Sequence, residues 1–314
     1  MHIILPQAAQ WYSWVALALA FLLSILVYFY IENPLRRSNS KANVVFLLSA
    51  LVACFTLGQV IKKMDGFPER PIAKALTFDD DFAFMKVTKE SKLLGQNIRL
   101  TDENQFPEIL FVGDSHAQQY AARVKLLADH THKSVAFLTS GGCFVANGQG
   151  GNPKECAHTP ESLKILLQDA RIKTVVIGQI WGAYMTQNLG VDFVEGVNSY
   201  VEIMKKFGQS KKFYVLLDAP WDQGSYNITN HLNRLNYKAA LEVEHYWVSY
   251  PMDDSWLKGN RYVQDAFSSL STLIVTDNLV CPNKKCDLKN YMDDDHLRSS
   301  YIEKNAYWID QVFQ

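Results

Sequence analysis

No stripe or surplus of basic charge runs through this sequence. Its 314 residues carry 31 Lys and Arg against 32 Asp and Glu, a net charge of -1, which leaves no electrostatic footprint for nucleic acid and sets that class of partner aside. Internal repeats and low-complexity tracts are also missing, so a solenoid is not expected. Charge of either sign is absent from two stretches: nothing between Ile3 and Ile31 is charged, and residues 44–61 form a second uncharged, mostly apolar run. Each is long enough to cross a bilayer core of roughly 30 Å as a helix. The first run lacks a basic start and a small-x-small site before Glu32, which argues against a cleaved signal peptide. Two membrane helices in a hairpin over residues 1–63 are expected instead.

Charge leaves the orientation of that hairpin open, because Arg36, Arg37 and Lys41 sit in the connection while Lys62, Lys63 and Arg70 follow the second helix. Cysteine is scarce, at five residues, and informative. Cys54 lies in the second apolar run; the others fall in two close pairs, Cys143 with Cys156 and Cys281 with Cys286. Even numbers at close spacing suggest two small disulfide loops, which persist only in an oxidising compartment. The alternative is a zinc site built from all four, whose spacing fits the usual ligand patterns poorly. The disulfide reading places the soluble part outside a cytoplasmic membrane.

Residues 64–106 are polar, interrupted by Pro68 and Pro71, and carry Asp79-Asp80-Asp81, which reads as a solvated turn in a connector with some packed segments. From residue 107 onward, short apolar runs (EILFVGDS, KSVAFLTS, KTVVIGQIW, KKFYVLLDAP, TLIVTD) alternate with longer amphipathic ones. Continuous apolar strands separated by helices indicate a parallel sheet covered on both faces. The fold class is therefore α/β, in three layers, over residues 107–314, and the 48% hydrophobic content can fill its core. Thr159-Pro160 and Asp192 mark helix starts. Residues 222–260 lack clean periodicity and read as an insertion near the sheet's carboxyl edge, helical around 230–247. Its Asn227-Ile228-Thr229 sequon is a pattern that arises often by chance.

One strand passes directly into a helix through Gly113-Asp114-Ser115-His116. In a parallel sheet, functional groups gather at the carboxyl ends of strands, and Ser115 ends the first, where helix N–H groups favour negative charge. It is either an N-cap that satisfies those groups or a nucleophile. A nucleophilic hydroxyl needs a base, and the base an orienting group. In YMDDDHLRSSY, Asp293 stands three residues before His296, so one tight turn can supply both. The same segment also reads as a solvated cap of the last helix, or as a metal site of Asp293, Asp295 and His296. No second ligand cluster supports a metal, and none is expected.

These residues resemble the SGNH (GDSL-like) hydrolases: Gly113-Asp114-Ser115-His116 after a strand, and Asp293-x-x-His296 near the C-terminus. The resemblance implies a three-layer α/β/α, flavodoxin-like sheet. It also implies a nucleophile at Ser115, a base at His296 oriented by Asp293, and oxyanion donors from the Ser115 N–H, a glycine after the second strand and an asparagine after the third. Gly142 in TSGGCF matches the glycine, whose missing Cβ lets its N–H approach a reacting carbonyl. No asparagine follows the third strand. VVIGQIWGAY offers Trp181 and Gln179 instead, similar to SGNH domains fused to membrane acyltransferases; the other reading of Trp181 is a core residue at a strand end. Asp114 is expected to tie down the turn, and His116 to be structural or substrate-facing.

VYFYIENPLRRS is similar to the end of the last core helix of the acyltransferase-three membrane family, and the cysteine pairs also fit its fused members. The resemblance implies a membrane-anchored SGNH domain in the periplasm of a bacterial inner membrane, transferring an acyl group, expected to be acetyl, to a hydroxyl of an exported surface glycan such as lipopolysaccharide O-antigen. It implies no bound cofactor, with the donor derived from acetyl-CoA through an acyltransferase-three membrane portion in the same longer chain or a separate partner. An acetylesterase of the same fold and a non-catalytic glycan-binding module are the alternatives.

Overall fold

The computed structural model describes residues 10–37, 40–64, 82–187, 189–221, 247–249 and 255–314, in two compact units. The first unit holds the N-terminal helices. Gln10–Val27 continues through a π-helical turn, Tyr28–Glu32, into Asn33–Arg37, and Lys41–Lys63 follows. The latter helix starts on Ser40, whose hydroxyl accepts the Ala42 N–H at 3.2 Å. It ends on Lys62 and Lys63, cations that complement the C-terminal end of the helix dipole. Its 23 residues reach about 34 Å and none is buried, so its apolar side chains call for an apolar solvent. Among the described residues this is the one helix long and apolar enough to cross a membrane; the helix before it holds a shorter apolar stretch, Leu17–Glu32.

The second unit is built on a seven-stranded sheet. Its strands are β1 (Lys89–Leu93), β2 (Gln96–Leu100), β3 (Ile109–Gly113), β4 (Val135–Thr139), β7 (Thr174–Gly178), β8 (Lys212–Leu216) and β10 (Thr272–Ile274). Between and after them lie two small ribbons, β5 (Cys143–Phe144) with β6 (Gln149–Gly150), and β9 (Trp247–Ser249) with β11 (Lys285–Asp287). The spatial order is β1-β2-β4-β3-β7-β8-β10. All pairings from β4 to β10 are parallel, and β1 and β2 add an antiparallel edge. Numbered alone, the parallel strands run 2-1-3-4-5, the flavodoxin-like order. β3 has no exposed residue, as expected of a strand covered on both faces. The stretch read from sequence as a connector thus supplies, from Lys89 to Leu100, the two antiparallel strands at one edge of the sheet.

Helices Ala121–Thr131, Thr159–Gln168, Phe193–Phe207 and Ser255–Phe267 alternate with these strands. Phe193–Phe207 starts on Asp192, whose carboxylate accepts the Glu195 N–H at 2.9 Å. Thr159 behaves otherwise: the helix begins on it rather than after it, and its buried hydroxyl donates to Val145 O and Cys156 O. The tight packing of the loop against this helix claims the hydroxyl that capping would have used. Residues 65–81, 222–246 and 250–254 lie outside the described residues, and with them the acidic triplet, the sequon and most of the expected insertion helix.

Two disulfides, Cys143–Cys156 and Cys281–Cys286, join the four soluble cysteines in the pairs expected, and Cys54 is free. The first closes a loop over 13 positions just after β4; the second ties the segment that leads to Asp293. Replacing Cys143 and Cys156 with serine is expected to cost about 3 kcal/mol of stability through the freed unfolded chain, measured as a lowered denaturant midpoint. Non-reducing peptide mapping should recover both linked pairs, and free thiols at all four positions would contradict this structure.

Candidate active site

Ser115 lies at the carboxyl end of β3, at the switch point where the sheet order reverses between β3 and β7. The turn into its helix is possible only without a side chain at Gly113. Its φ is +147°, and a Cβ there would stand 1.7 Å from Gly178 O on β7, so β3 and β7 approach backbone to backbone. Asp114 follows, fully buried, and its carboxylate accepts the His116 N–H at 2.8 Å and the Ile180 N–H at 3.0 Å. One side chain therefore caps the short helix Ser115–Gln118 and straps it to the loop after β7.

His296 reaches Ser115 from the opposite end of the chain. The segment before it is a tight antiparallel turn, closed by a Tyr291–Leu297 bridge and by Met292 N–H donating to His296 O at 2.8 Å. Asp293 fills the turn: its Oδ1 accepts the His296 N–H at 2.7 Å and the Asp295 N–H at 3.1 Å. Gln119 Oε1, just beyond the Ser115 helix, accepts the Leu297 N–H at 2.8 Å and docks the turn onto the sheet.

The imidazole then bridges the two halves. Nε2 is 2.7 Å from Ser115 Oγ, and Nδ1 is 2.9 Å from Asp293 Oδ2. Asp295 Oδ1 approaches Nδ1 as an ion pair at 2.7 Å. Burial alone would lower the basicity of His296, but the Asp293 and Asp295 carboxylates outweigh it and raise its pKa to about 9. Asp295 is itself half-enclosed; burial would push its carboxyl up, yet contacts with His116 and His296 hold it far below the usual carboxylate range. His116, Asp295 and His296 bring one potential ligand atom each within 4.8 Å, a grouping already accounted for by ion pairing among themselves.

The family model for the SGNH domain fused to AT3 (acyltransferase-three) domains matches residues 82–303. The chain belongs to this SGNH family. The match begins at the two edge strands and ends past His296. No curated protein matches the chain. Among solved structures, the SGNH unit is similar to the periplasmic domain of a lipopolysaccharide acetyltransferase from Salmonella ser. Paratyphi A, at 14% identity over 66% of this chain and 83% of that one, with a TM-score of 0.48. A GDSL-like lipase from Bacteroides thetaiotaomicron is similar at 9% identity over 65% of this chain and 86% of that one, with a TM-score of 0.41. SGNH membership makes the chain an acyl-transferring or hydrolytic enzyme by fold.

In this SGNH domain Ser115 opens onto a cleft of about 450 Å³, also lined by Gly142, Ile180, Tyr184, Trp221 and Asp293 to Asp295. Gly142 sits on its rim with φ +69°, a conformation that favours glycine, and a Cβ there would meet nothing within 4 Å. Trp181 and Gln179, expected as oxyanion or substrate contacts, do not line the cleft. Trp181 is wholly buried and donates through Nε1 to Leu216 O at 2.8 Å. It packs among Phe144, Tyr200 and Phe267, where its ring is buried and its N–H has an acceptor. Gln179 also turns inward, donating to the Tyr200 hydroxyl at 2.8 Å.

Sequence reasoning missed Tyr184 and Trp221. Both are buried, and both line the cleft. Tyr184 follows Trp181 by three positions on one short helix, and Trp221 follows the carboxyl end of β8, the edge where functional groups collect. With Trp181 read as core, Trp181→Ala is expected to cost about 3–5 kcal/mol of stability, while Trp181→Phe keeps ester turnover within about twofold of wild type. A stability curve and a turnover assay on the same preparations check both.

Proposed function

We propose that this chain is a membrane-anchored transferase that moves an acyl group, in the first instance acetyl, onto a hydroxyl of an exported cell-surface glycan such as lipopolysaccharide O-antigen. The observation that carries the chemistry is the alignment of Ser115 Oγ, His296 and Asp293 at the mouth of an open cleft. Asp293 orients the ring so that Nε2 accepts the Ser115 proton while Oγ attacks the donor carbonyl carbon. The His296 cation then protonates the leaving group, and acyl-Ser115 remains. A sugar hydroxyl next loses its proton to Nε2 and attacks the acyl carbon, and Ser115 leaves with that proton. The N–H groups of Ser115 and Gly142 supply the oxyanion donors, each worth about 3 kcal/mol in comparable sites.

Transfer is favoured over hydrolysis by the company this SGNH domain keeps. Its family is fused to AT3 domains, and the helix Lys41–Lys63 would hold it at a membrane beside such a domain, in the same longer chain or as a separate partner. The donor is then an acyl group derived from acetyl-CoA on the cytoplasmic side, and the two disulfides suit a periplasmic location at the inner membrane.

Ser115→Ala is expected to lower turnover of a soluble acetyl ester by about a thousandfold or more while preserving the fold by circular dichroism; unchanged turnover refutes the nucleophile. Mass spectrometry of envelope polysaccharide with and without the gene should show an acetyl-sized loss on deletion, whereas a gain would mean a deacetylase. Because His296 must be neutral to accept the Ser115 proton and its pKa lies at about 9, kcat/KM should rise with pH along a limb near that value. A flat profile from pH 7 to 10 would remove His296 as the base.

A further inference from the structure

Carboxylates crowd this end of the sheet: Asp114 from the end of β3, Asp218 just past β8, and Asp293, Asp294 and Asp295 from the C-terminal turn. No Lys or Arg lines the cleft among the described residues. A second imidazole stands among them instead. His116 stands 4.9 Å from His296, ring centre to ring centre. Its Nδ1 lies 3.3 Å from Asp218 Oδ1, and its Nε2 lies 3.9 Å from Asp295 Oδ2. Asp218 is fixed by the Gly182 N–H on Oδ2 at 3.1 Å and by Asn260, which exchanges two hydrogen bonds with its backbone. Ser115, His296, Asp295, His116 and Asp218 thus form a row of alternating bases and acids running from the cleft into the core.

We propose that His116, fixed as an imidazolium by Asp218, is a positioning residue for the Ser115 reaction: it draws Asp295 toward itself and, by its own charge, keeps His296 able to release the proton taken from Ser115. This rests on the reading of Ser115 as nucleophile and His296 as its base. Two carboxylates on Nδ1 stabilise the imidazolium and so hold the proton on Nε2 firmly, a burden for a group that must give that proton back twice in each cycle. A cation about 5 Å away in a poorly solvated site opposes that hold. The groups around the two rings are Asp114 and Asp218 beside His116, Asp293 beside His296 and Asp295 between them, with Asp294 and the Tyr184 phenol also lining the cleft; the adjacent carboxylates favour the imidazolium of each ring, while burial and the opposite ring oppose it. Burial would keep His116 neutral, but its contacts with Asp218 and Asp295 raise its pKa well above the ordinary histidine value.

The test titrates His296 by NMR in full-length Ser115→Ala protein in detergent micelles, using ring-labelled histidine, so that the readout is independent of turnover. Adding His116→Gln removes the neighbouring cation, and the His296 midpoint should rise by about one unit; Asp295→Asn removes an anion and should lower it by a similar amount. With Ser115 intact, the alkaline limb of kcat/KM should move in the same directions. His116→Gln alone leaves Asp218 buried without its counter-charge, so the double variant His116→Gln/Asp218→Asn, which neutralises both, should fold and show the same rise. An unmoved His296 midpoint in the folded double variant overturns the proposal, as does an activity loss equal at every pH. Turnover surviving in Ser115→Ala removes the nucleophile instead, and is scored separately from the His296 midpoint.

Discussion

Ser115 and His296 stand 181 positions apart and share one 2.7 Å hydrogen bond. Nothing local brings them together; the meeting depends on two independent pieces of backbone, each rigid for its own reason. On one side, Gly113 lets β3 close on the Gly178 carbonyl of β7 to a distance that excludes any side chain at that position, and Asp114 straps their loops together across that gap. On the other, Asp293 folds the C-terminal turn around its own carboxylate, and Gln119 pins that turn to the helix carrying Ser115. Arg123 clamps the chain beyond it, pairing with Asp310 at 2.6 Å and donating to Glu303 O at 3.0 Å. The edge segment contributes as well: Ala83 N–H donates to Ser299 Oγ at 2.7 Å, and the Phe82 ring meets His296 edge-on.

The electrostatics of the site follow from what the sheet end cannot offer. Polar groups buried there must be paired, and the available partners are almost all acidic. The result is a ladder of carboxylates and imidazoles in place of the Arg or Lys that commonly balances such a cluster. His296 is thereby made a stronger base than a solvated imidazole, which favours proton uptake from Ser115 and sets the burden on the return of that proton.

Much of this was legible in the chain before folding. Short β-rich runs at regular intervals announced a parallel sheet with Ser115 at the carboxyl end of its first strand, whereas the strand order that makes this end a switch point is seen only in the fold. Asp-x-x-His could be read because one turn suffices to bring that carboxylate to that ring. The two strands at this edge were not legible, because KESKL and QNIRL carry too many polar residues to look like sheet; QNIRL owes its place to pairing with β4, and KESKL to pairing with QNIRL. Trp181 misled for a physical reason: a tryptophan after a strand satisfies a cleft and a core equally well, and only the inward acceptor at Leu216 decides between them. The pairing of His116 with Asp218 and Asp295 was not legible, because those carboxylates lie 102 and 179 positions away.

The Cys143–Cys156 bond closes the loop that begins just after Gly142, so the glycine on the cleft's rim is braced by a covalent link that neither the sheet nor the Ser115–His296 hydrogen bond requires.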